Sequence, residues 1–155
     1  MRRLVLIFTH AVALAVGFGL GIYLLPILVA PDSPDAAMLE EKAQSALFVG
    51  ELTRDLRGSD FLHWGEGTIS VSPTEIVHQG ALAPGPDYKV YLMPSFVEHE
   101  DEFEPLKSQG VVVGDVKTFE GFVLEVPAGV DVSAYNTVVV WCESFAEFIT
   151  ATRYQ

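Results

Sequence analysis

Residues 137–142 read Thr-Val-Val-Val-Trp-Cys, the most apolar of the strand-like stretches in the chain. Side chains alternate between the two faces of a strand, so Cys142 shares one face with two valines, and Trp141 shares the other with Val139. Both faces are therefore apolar. Such a strand is predicted to lie in the centre of a sheet, with other elements packed on both of its sides.

The stretch 119–126, FEGFVLEV, alternates as a half-buried strand should. Phe122, Leu124 and Val126 fall on one face, which we expect to be the core face. Similar short runs, separated by Gly, Pro, Asn and Asp, predict further strands at 47–53, 61–64, 67–72, 75–79, 88–93, 111–117 and 146–152. The pattern predicts a mainly β fold, an antiparallel β-sandwich or Greek-key-like domain.

The segment before these strands has a different composition. Residues 31–37 hold two prolines and two aspartates, which predicts a short tether. Residues 36–47 are rich in Ala, Leu, Glu, Lys and Gln, which favours a helix, and Asp35 is placed to cap it. We therefore expect a linker with a short helix at 31–45 and one β domain at 46–155.

The N-terminus carries an uncharged apolar run over residues 4–30. Its first part, Leu4–Leu25, would extend ~33 Å as a helix, about the thickness of a bilayer core. Pro26 would end or kink this helix near the far interface, where Tyr23 would lie among the lipid headgroups. The sequence thus predicts a membrane-spanning helix that contacts lipid through residues 4–25.

The charges that flank this run predict its orientation. Two arginines precede it and every acidic residue follows it, so the positive-inside rule places the N-terminus in the cytoplasm and the C-terminal domain in the periplasm or another extracytoplasmic space. A cleaved signal peptide is the competing interpretation, but the run is long, and Leu28 and Pro31 disfavour cleavage after Ala30. We expect residues 1–30 to form an uncleaved, single-pass signal anchor in the cell membrane.

The segment 31–155 is strongly acidic, with seven basic and 21 acidic side chains and a net charge of −14. Such a surface repels phosphate, which argues against a nucleic-acid ligand. It suits a basic partner instead, such as a c-type cytochrome drawn in by charge. The run 98–104, EHEDEFE, lacks the spacing of an EF-hand and predicts a solvated acidic loop.

Cys142 is the first candidate for chemistry. Because it is the only cysteine, the chain has no internal disulfide, no CxxC dithiol and no Cys₄ zinc site. A lone cysteine outside the cytoplasm is a buried thiol, part of an intermolecular disulfide, or a reactive thiolate. Its neighbours Trp141 and Glu143 do not favour a thiolate, since a thiolate needs nearby positive charge.

His63 and Met93 are the candidates for binding a cofactor. Non-covalent haem needs one or two axial ligands and an apolar pocket, and these side chains could supply the ligands. His78 and His99 extend this set. A copper site would have a histidine and a methionine shortly after its cysteine, but neither residue type follows Cys142. GxSxG, HExxH and P-loop motifs are absent as well, so we expect neither a metal centre nor a stand-alone enzyme.

Five ordered stretches between residues 50 and 152 resemble the DM13 domain family. They are GEL at 50–52, HWGEGTI at 63–69, GPDYKVYL at 85–92, GDVK at 114–117 with Gly121 and Pro127, and YNTV at 135–138 followed by VWCESF at 140–145. The resemblance implies a β-sandwich-like extracytoplasmic domain. It also implies a role in redox chemistry or electron transfer that rests on the family cysteine, which is Cys142 here. It implies no substrate.

Two functions remain open at this point. The first is a membrane-anchored redox module that uses Cys142 as a thiol or as a cofactor ligand. Its electron partner would be a separate protein, because this chain carries no cytochrome or DOMON domain. The second is a non-catalytic binding or structural module of the cell envelope, since no acid, base and nucleophile converge in the sequence.

Overall fold

The computed structural model describes the whole chain, residues 1–155. It contains three α-helices, eight β-strands and two 3₁₀ turns. The helices are α1 (Arg2–Val29), α2 (Ala36–Ala43) and α3 (Glu100–Leu106), and the turns lie at Lys107–Gln109 and Val132–Ala134. The strands are β1 (Phe48–Leu52), β2 (Gly65–Val71), β3 (Glu75–Leu82), β4 (Tyr88–Met93), β5 (Val111–Val116), β6 (Phe122–Glu125), β7 (Thr137–Cys142) and β8 (Glu147–Arg153).

The strands form two four-stranded antiparallel sheets that pack as a sandwich. Sheet 1 has the order β1-β2-β3-β6, and sheet 2 has the order β5-β4-β7-β8. The chain crosses between the sheets after β3, after β5 and after β6. The predicted mainly β, antiparallel sandwich preceded by an apolar helix is therefore confirmed.

Strand β7 lies inside sheet 2, between β4 and β8, and all of its residues are buried. One face of β7 contributes Val138, Val140 and Cys142 to the core between the two sheets. The other face contributes Val139 and Trp141 to a second apolar cluster, which includes residues of α3 and of its flanking loop. The central position predicted from TVVVWC is confirmed, because both faces have a packing partner.

Residues 100–104 of the acidic run 98–104 are helical and not a loop, contrary to the prediction. Helix α3 begins after His99, whose Nδ1 accepts a hydrogen bond from the Asp101 N–H at 3.3 Å. Phe103 is fully buried, and its ring centroid lies 4.6 Å from that of Trp141. Acidic side chains in the first turn also suit the helix dipole. The burial of Phe103 and the His99 cap both favour a helix in a segment whose charge suggested a solvated loop.

Residues 61–64 are not a strand either. The Asp60 carboxylate accepts hydrogen bonds from the N–H groups of Leu62 and His63, at 2.7 and 2.8 Å. This side-chain-to-backbone bonding competes with strand pairing and holds the segment as a turn. The turn leaves Phe61 exposed, and it delivers His63 to the end of the sandwich.

Two other local predictions hold. Asp35 caps α2, since its carboxylate accepts the Met38 N–H at 2.8 Å, although α2 ends at Ala43 rather than at 47. On the β6 segment, Phe122 is buried in the main core, and Leu124 and Val126 pack against it.

Helix α1 runs through Pro26 and ends one turn later, at Val29. It has 28 residues and a mean hydropathy of 2.4, and none of its apolar stretch is buried in the protein. It is therefore long and apolar enough to cross a membrane, as an anchor or as a signal sequence. Residues 30–35 connect it to α2 without regular structure.

Candidate functional site

A cavity of about 350 Å³ lies where one end of the sandwich faces α1. The domain side is formed by the turn before β4, the tip of the β7–β8 hairpin and the turn before β2. Gly19, Ile22 and Tyr23 of α1 form the opposite side. The domain residues that line this Cys142 cavity are Leu62, His63, Pro84, Gly85, Pro86, Tyr88, Cys142, Phe145, Glu147 and Ile149.

Cys142 forms part of the cavity floor, at the last position of β7, and its side chain is only 3% exposed. Burial raises the pKa of the Cys142 thiol, and the Asp87 carboxylate raises it further. The backbone N–H groups of Phe145, Asp87 and Ser144 act in the opposite direction. The thiol is therefore neutral at physiological pH, in a setting that offers several donors to a charged sulfur.

Tyr88 lies directly opposite Cys142 in the pairing of β4 with β7. It is 3% exposed, and burial raises the pKa of its phenol, with further contributions from Cys142 and Tyr23. Its hydroxyl finds no hydrogen-bond partner within the protein. A Cβ added at Gly85 would lie 2.3 Å from that hydroxyl, so the polar end of the ring rests against another residue that lines the cavity.

The hairpin tip beside the cavity is held by the turn before β4. Ser144 Oγ donates to Asp87 Oδ2 at 2.6 Å, and the Glu143 N–H donates to the Asp87 carbonyl at 2.9 Å. Ala146 has a φ of 54°, which closes the four-residue loop between β7 and β8. Phe145, at the tip, is half exposed and lines the cavity.

Two titratable side chains stand at the rim of the cavity. His63 Nδ1 lies 3.2 Å from Oδ2 of Asp60, which orients the imidazole. Burial raises the pKa of Glu147 and Glu100 adds to this effect, while His63 opposes it. A carboxyl with a raised pKa holds its proton more readily, and it can then donate a hydrogen bond.

The structure brings His63 and Cys142 to one cavity but leaves Met93 elsewhere. Met93 is at the far end of β4, paired with Thr137, and its side chain is fully buried in the second cluster. Its sulfur lies against Gly110. Met93 and His63 are therefore not placed as a pair of axial haem ligands, and of the two only His63 lines the cavity.

The other histidines have structural roles. His78 is fully buried on β3, where its Nε2 lies 3.0 Å from the carbonyl oxygen of Glu66, and its ring packs on Phe122. Desolvation lowers the pKa of His78. His99 caps α3. Neither lines the cavity.

Sequence reasoning missed Tyr88 and Glu147 as members of the site. Their positions depend on strand register: Tyr88 and Glu147 are the residues that pair with Cys142 from β4 and from β8. An aromatic residue directly after the Gly-Pro-Asp turn was the available signal for Tyr88. No pattern in the sequence points to Glu147.

These features define a mainly β sandwich domain with an N-terminal apolar helix and a buried cysteine at an apolar cavity. A family model described as electron transfer DM13 matches residues 56–154, and the chain belongs to the DM13 family. The matched segment includes His63, Tyr88 and Cys142. Comparison with curated proteins and with solved structures gives no match.

Proposed function

We propose that this protein is a single-pass, membrane-anchored DM13 domain that takes part in electron transfer outside the cytoplasm through the Cys142 cavity. The observation that carries the proposal is the meeting of Cys142, Tyr88 and His63 in one apolar cavity that α1 helps to enclose. The family description supplies the link to electron transfer. The division into an anchor at 1–30, a linker at 31–45 and a domain at 46–155 is part of the same proposal.

The orientation rests on charge. Arg2 and Arg3 at the start of α1 favour a cytoplasmic N-terminus, and the acidic domain that follows favours the other side. α1 is ~42 Å long at 1.5 Å per residue, which exceeds a bilayer core of ~30 Å. If the span begins at Arg3, it ends near Tyr23, and the last turns of α1 emerge on the outer side.

Cys142 acts in this proposal as a contact inside the cavity rather than as a free thiolate. Its thiol is buried beside the Asp87 carboxylate, and both effects hold the proton on sulfur. A single thiol also cannot close a disulfide within the chain. Electrons would therefore reside on a molecule bound in the cavity or on a partner protein. The Cys142 sulfur would be one of the atoms that contact the bound molecule.

The test is electron delivery to the cell exterior in the native host. Cells with the gene deleted should reduce ferricyanide, which does not cross membranes, more slowly than the parent. The wild-type chain should restore the rate, and Cys142→Ala should not. Val140→Ala is the matched control, because it trims the same face of β7 away from the cavity. Its amount in the membrane must equal that of Cys142→Ala.

The alternative is a binding or structural module of the envelope without a redox role. The burial of the thiol and its raised pKa favour this alternative over a thiol-based redox enzyme. Unchanged ferricyanide reduction on deletion of the gene would overturn the electron-transfer proposal in favour of the alternative.

We further propose a basic partner, because segment 31–155 carries a net charge of −14. Charge of one sign on the domain speeds encounter with a protein of the opposite sign. A basic c-type cytochrome should bind the full chain more weakly as salt rises from 20 to 300 mM. Binding that does not respond to salt would refute this partner chemistry.

A further inference from the structure

The Cys142 cavity combines an apolar lining with one hydroxyl, that of Tyr88, which has no hydrogen-bond partner in the protein. Tyr88 is 3% exposed, and its hydroxyl meets no acceptor in the protein, at the point where the ring touches Gly85. A ligand that fills the cavity would displace water from this hydroxyl, and the hydroxyl would then need a new acceptor. A ligand that offers an acceptor oxygen inside the cavity would satisfy this group.

The cavity faces the membrane helix. Its remaining wall is Gly19, Ile22 and Tyr23, which belong to the outer end of the proposed span. Around the mouth, Leu62 and Phe145 are exposed apolar side chains. An apolar mouth at the edge of the bilayer admits a molecule from the lipid phase more readily than one from water.

We infer that the Cys142 cavity binds the ring of a lipid-soluble quinone, with the Tyr88 hydroxyl donating a hydrogen bond to a quinone carbonyl oxygen. The inference rests on the proposed function and names the molecule that carries the electrons. A quinone has an apolar ring, acceptor oxygens and a tail that stays in lipid. His63 and the Glu147 carboxyl at the rim can meet the second oxygen.

The probe is decylubiquinone, a benzoquinone whose ring is fully substituted and does not add thiols readily. The full chain is placed in lipid nanodiscs, and quenching of tryptophan fluorescence is followed as quinone per lipid increases. The chain has two tryptophans, Trp64 and Trp141, and each adjoins in sequence a residue that lines the cavity, His63 or Cys142. We expect a saturable component of quenching on top of the linear background of quinone dissolved in the bilayer.

Two pairs of variants locate the site. Tyr88→Phe should raise the half-saturation point about tenfold, the equivalent of one hydrogen bond. Tyr135→Phe is its control, because Tyr135 lies before the opposite end of β7 and lines no part of the cavity. Leu62→Arg should abolish saturation by charging the mouth, whereas Val112→Arg, at an exposed apolar site on β5, should not.

Three results would overturn the inference. They are no saturable quenching in the wild-type chain, the same half-saturation point in Tyr88→Phe and Tyr135→Phe, or loss of the saturable quenching when decanol is added. The last would mean that the cavity holds an acyl chain. Failure of quinone binding with intact Cys142-dependent ferricyanide reduction removes this inference alone. Quinone binding without any effect of gene deletion on ferricyanide reduction removes the proposed electron transfer instead.

Discussion

Asp87 ties the turn before β4 to the tip of the β7–β8 hairpin through Ser144, whose hydroxyl lies 2.6 Å from the Asp87 carboxylate. The Asp87 carbonyl also accepts the Glu143 N–H at 2.9 Å. The two turns therefore border the Cys142 cavity as one unit. The GPDYKVYL and VWCESF stretches, which are far apart in sequence, meet at this point.

Breaking this tie should loosen the cavity at modest cost in stability. Ser144→Ala and Asp87→Asn should each lower the free energy of unfolding by about 0.5–1 kcal/mol, since the bond is exposed to solvent. Thermal melts of the two single variants and the double variant give the coupling between the residues. Fully additive losses would show that the hydroxyl and the carboxylate do not interact.

The Cys142 thiol should be slow to react in the folded protein. Its raised pKa leaves little thiolate at pH 7, and the rate of alkylation by iodoacetamide should still be rising with pH at the ordinary thiol pKa of 9.0 instead of levelling off there. Asp87→Asn should move this profile to lower pH, because it removes a nearby negative charge. Ser144→Ala keeps that charge and serves as the control. Fast labelling at pH 7 without unfolding would contradict the buried position.

The fold should lose stability in mild acid through His78. An Nε2–H that donates to the Glu66 carbonyl leaves Nδ1 buried without a partner, so protonation would bury a charge. The folded pKa lies below the unfolded value of about 6.5. The contribution of neutral His78 to the free energy of unfolding is therefore fully present above pH 6.5, and it falls as the pH drops toward the folded pKa.

Replacing His78 with Leu tests this origin of the acid response. His78→Leu should be less stable at pH 7.5, because it leaves the Glu66 carbonyl unpaired, but its melting temperature should vary less between pH 7 and pH 5. An equal acid response in His78→Leu would assign the effect to other groups.

Gly85 should not tolerate a side chain. A Cβ at this position would lie 2.3 Å from the Tyr88 ring, so Gly85→Ala must displace the ring or the turn, at a cost of about 1–3 kcal/mol. Gly114→Ala is the matched control, because its Cβ would meet only Leu124, at an ordinary contact distance of 3.4 Å. Equal melting temperatures for the two variants would contradict the packing of Tyr88 against the turn.

The topology proposal predicts the compartment of the C-terminus. Alkaline phosphatase fused after Gln155 should be active, since this enzyme needs the oxidising exterior, and the fusion should stay in the membrane fraction. A fusion to residues 36–155 alone should be soluble and inactive in the cytoplasm. Release of a shortened soluble form from the full-length fusion would indicate a cleaved signal peptide instead.

The sequence was most informative for segments whose pattern of apolar residues fits only one kind of environment. TVVVWC predicts a central strand, because both of its faces are apolar. The apolar run before Pro26 predicts a helix of membrane length. Prediction failed where the contacts of a single residue outweigh the composition of the segment around it. Phe103 folds an acidic segment as α3, and Asp60 bends 61–64 into a turn.

The cavity itself was only half visible in the sequence. Cys142 and His63 were named from residue type, but their meeting depends on the turn at Asp60 and on the packing of the sandwich. Tyr88 and Glu147 enter through strand register, which no local pattern encodes. Met93 was suggested by chemistry alone, and its pairing with Thr137 carries it to the opposite end of β4.

The short segment between α1 and α2 limits where this domain can work. From Val29 to Ala36 the chain can reach at most ~25 Å when fully extended. In the proposed orientation, the domain is thus confined to a thin layer above the lipid, where a membrane-bound partner meets it by lateral diffusion in two dimensions. Such tethering raises the effective concentration at which the domain and its membrane-bound partner meet. Even a weak complex would then be well populated without a larger contact surface.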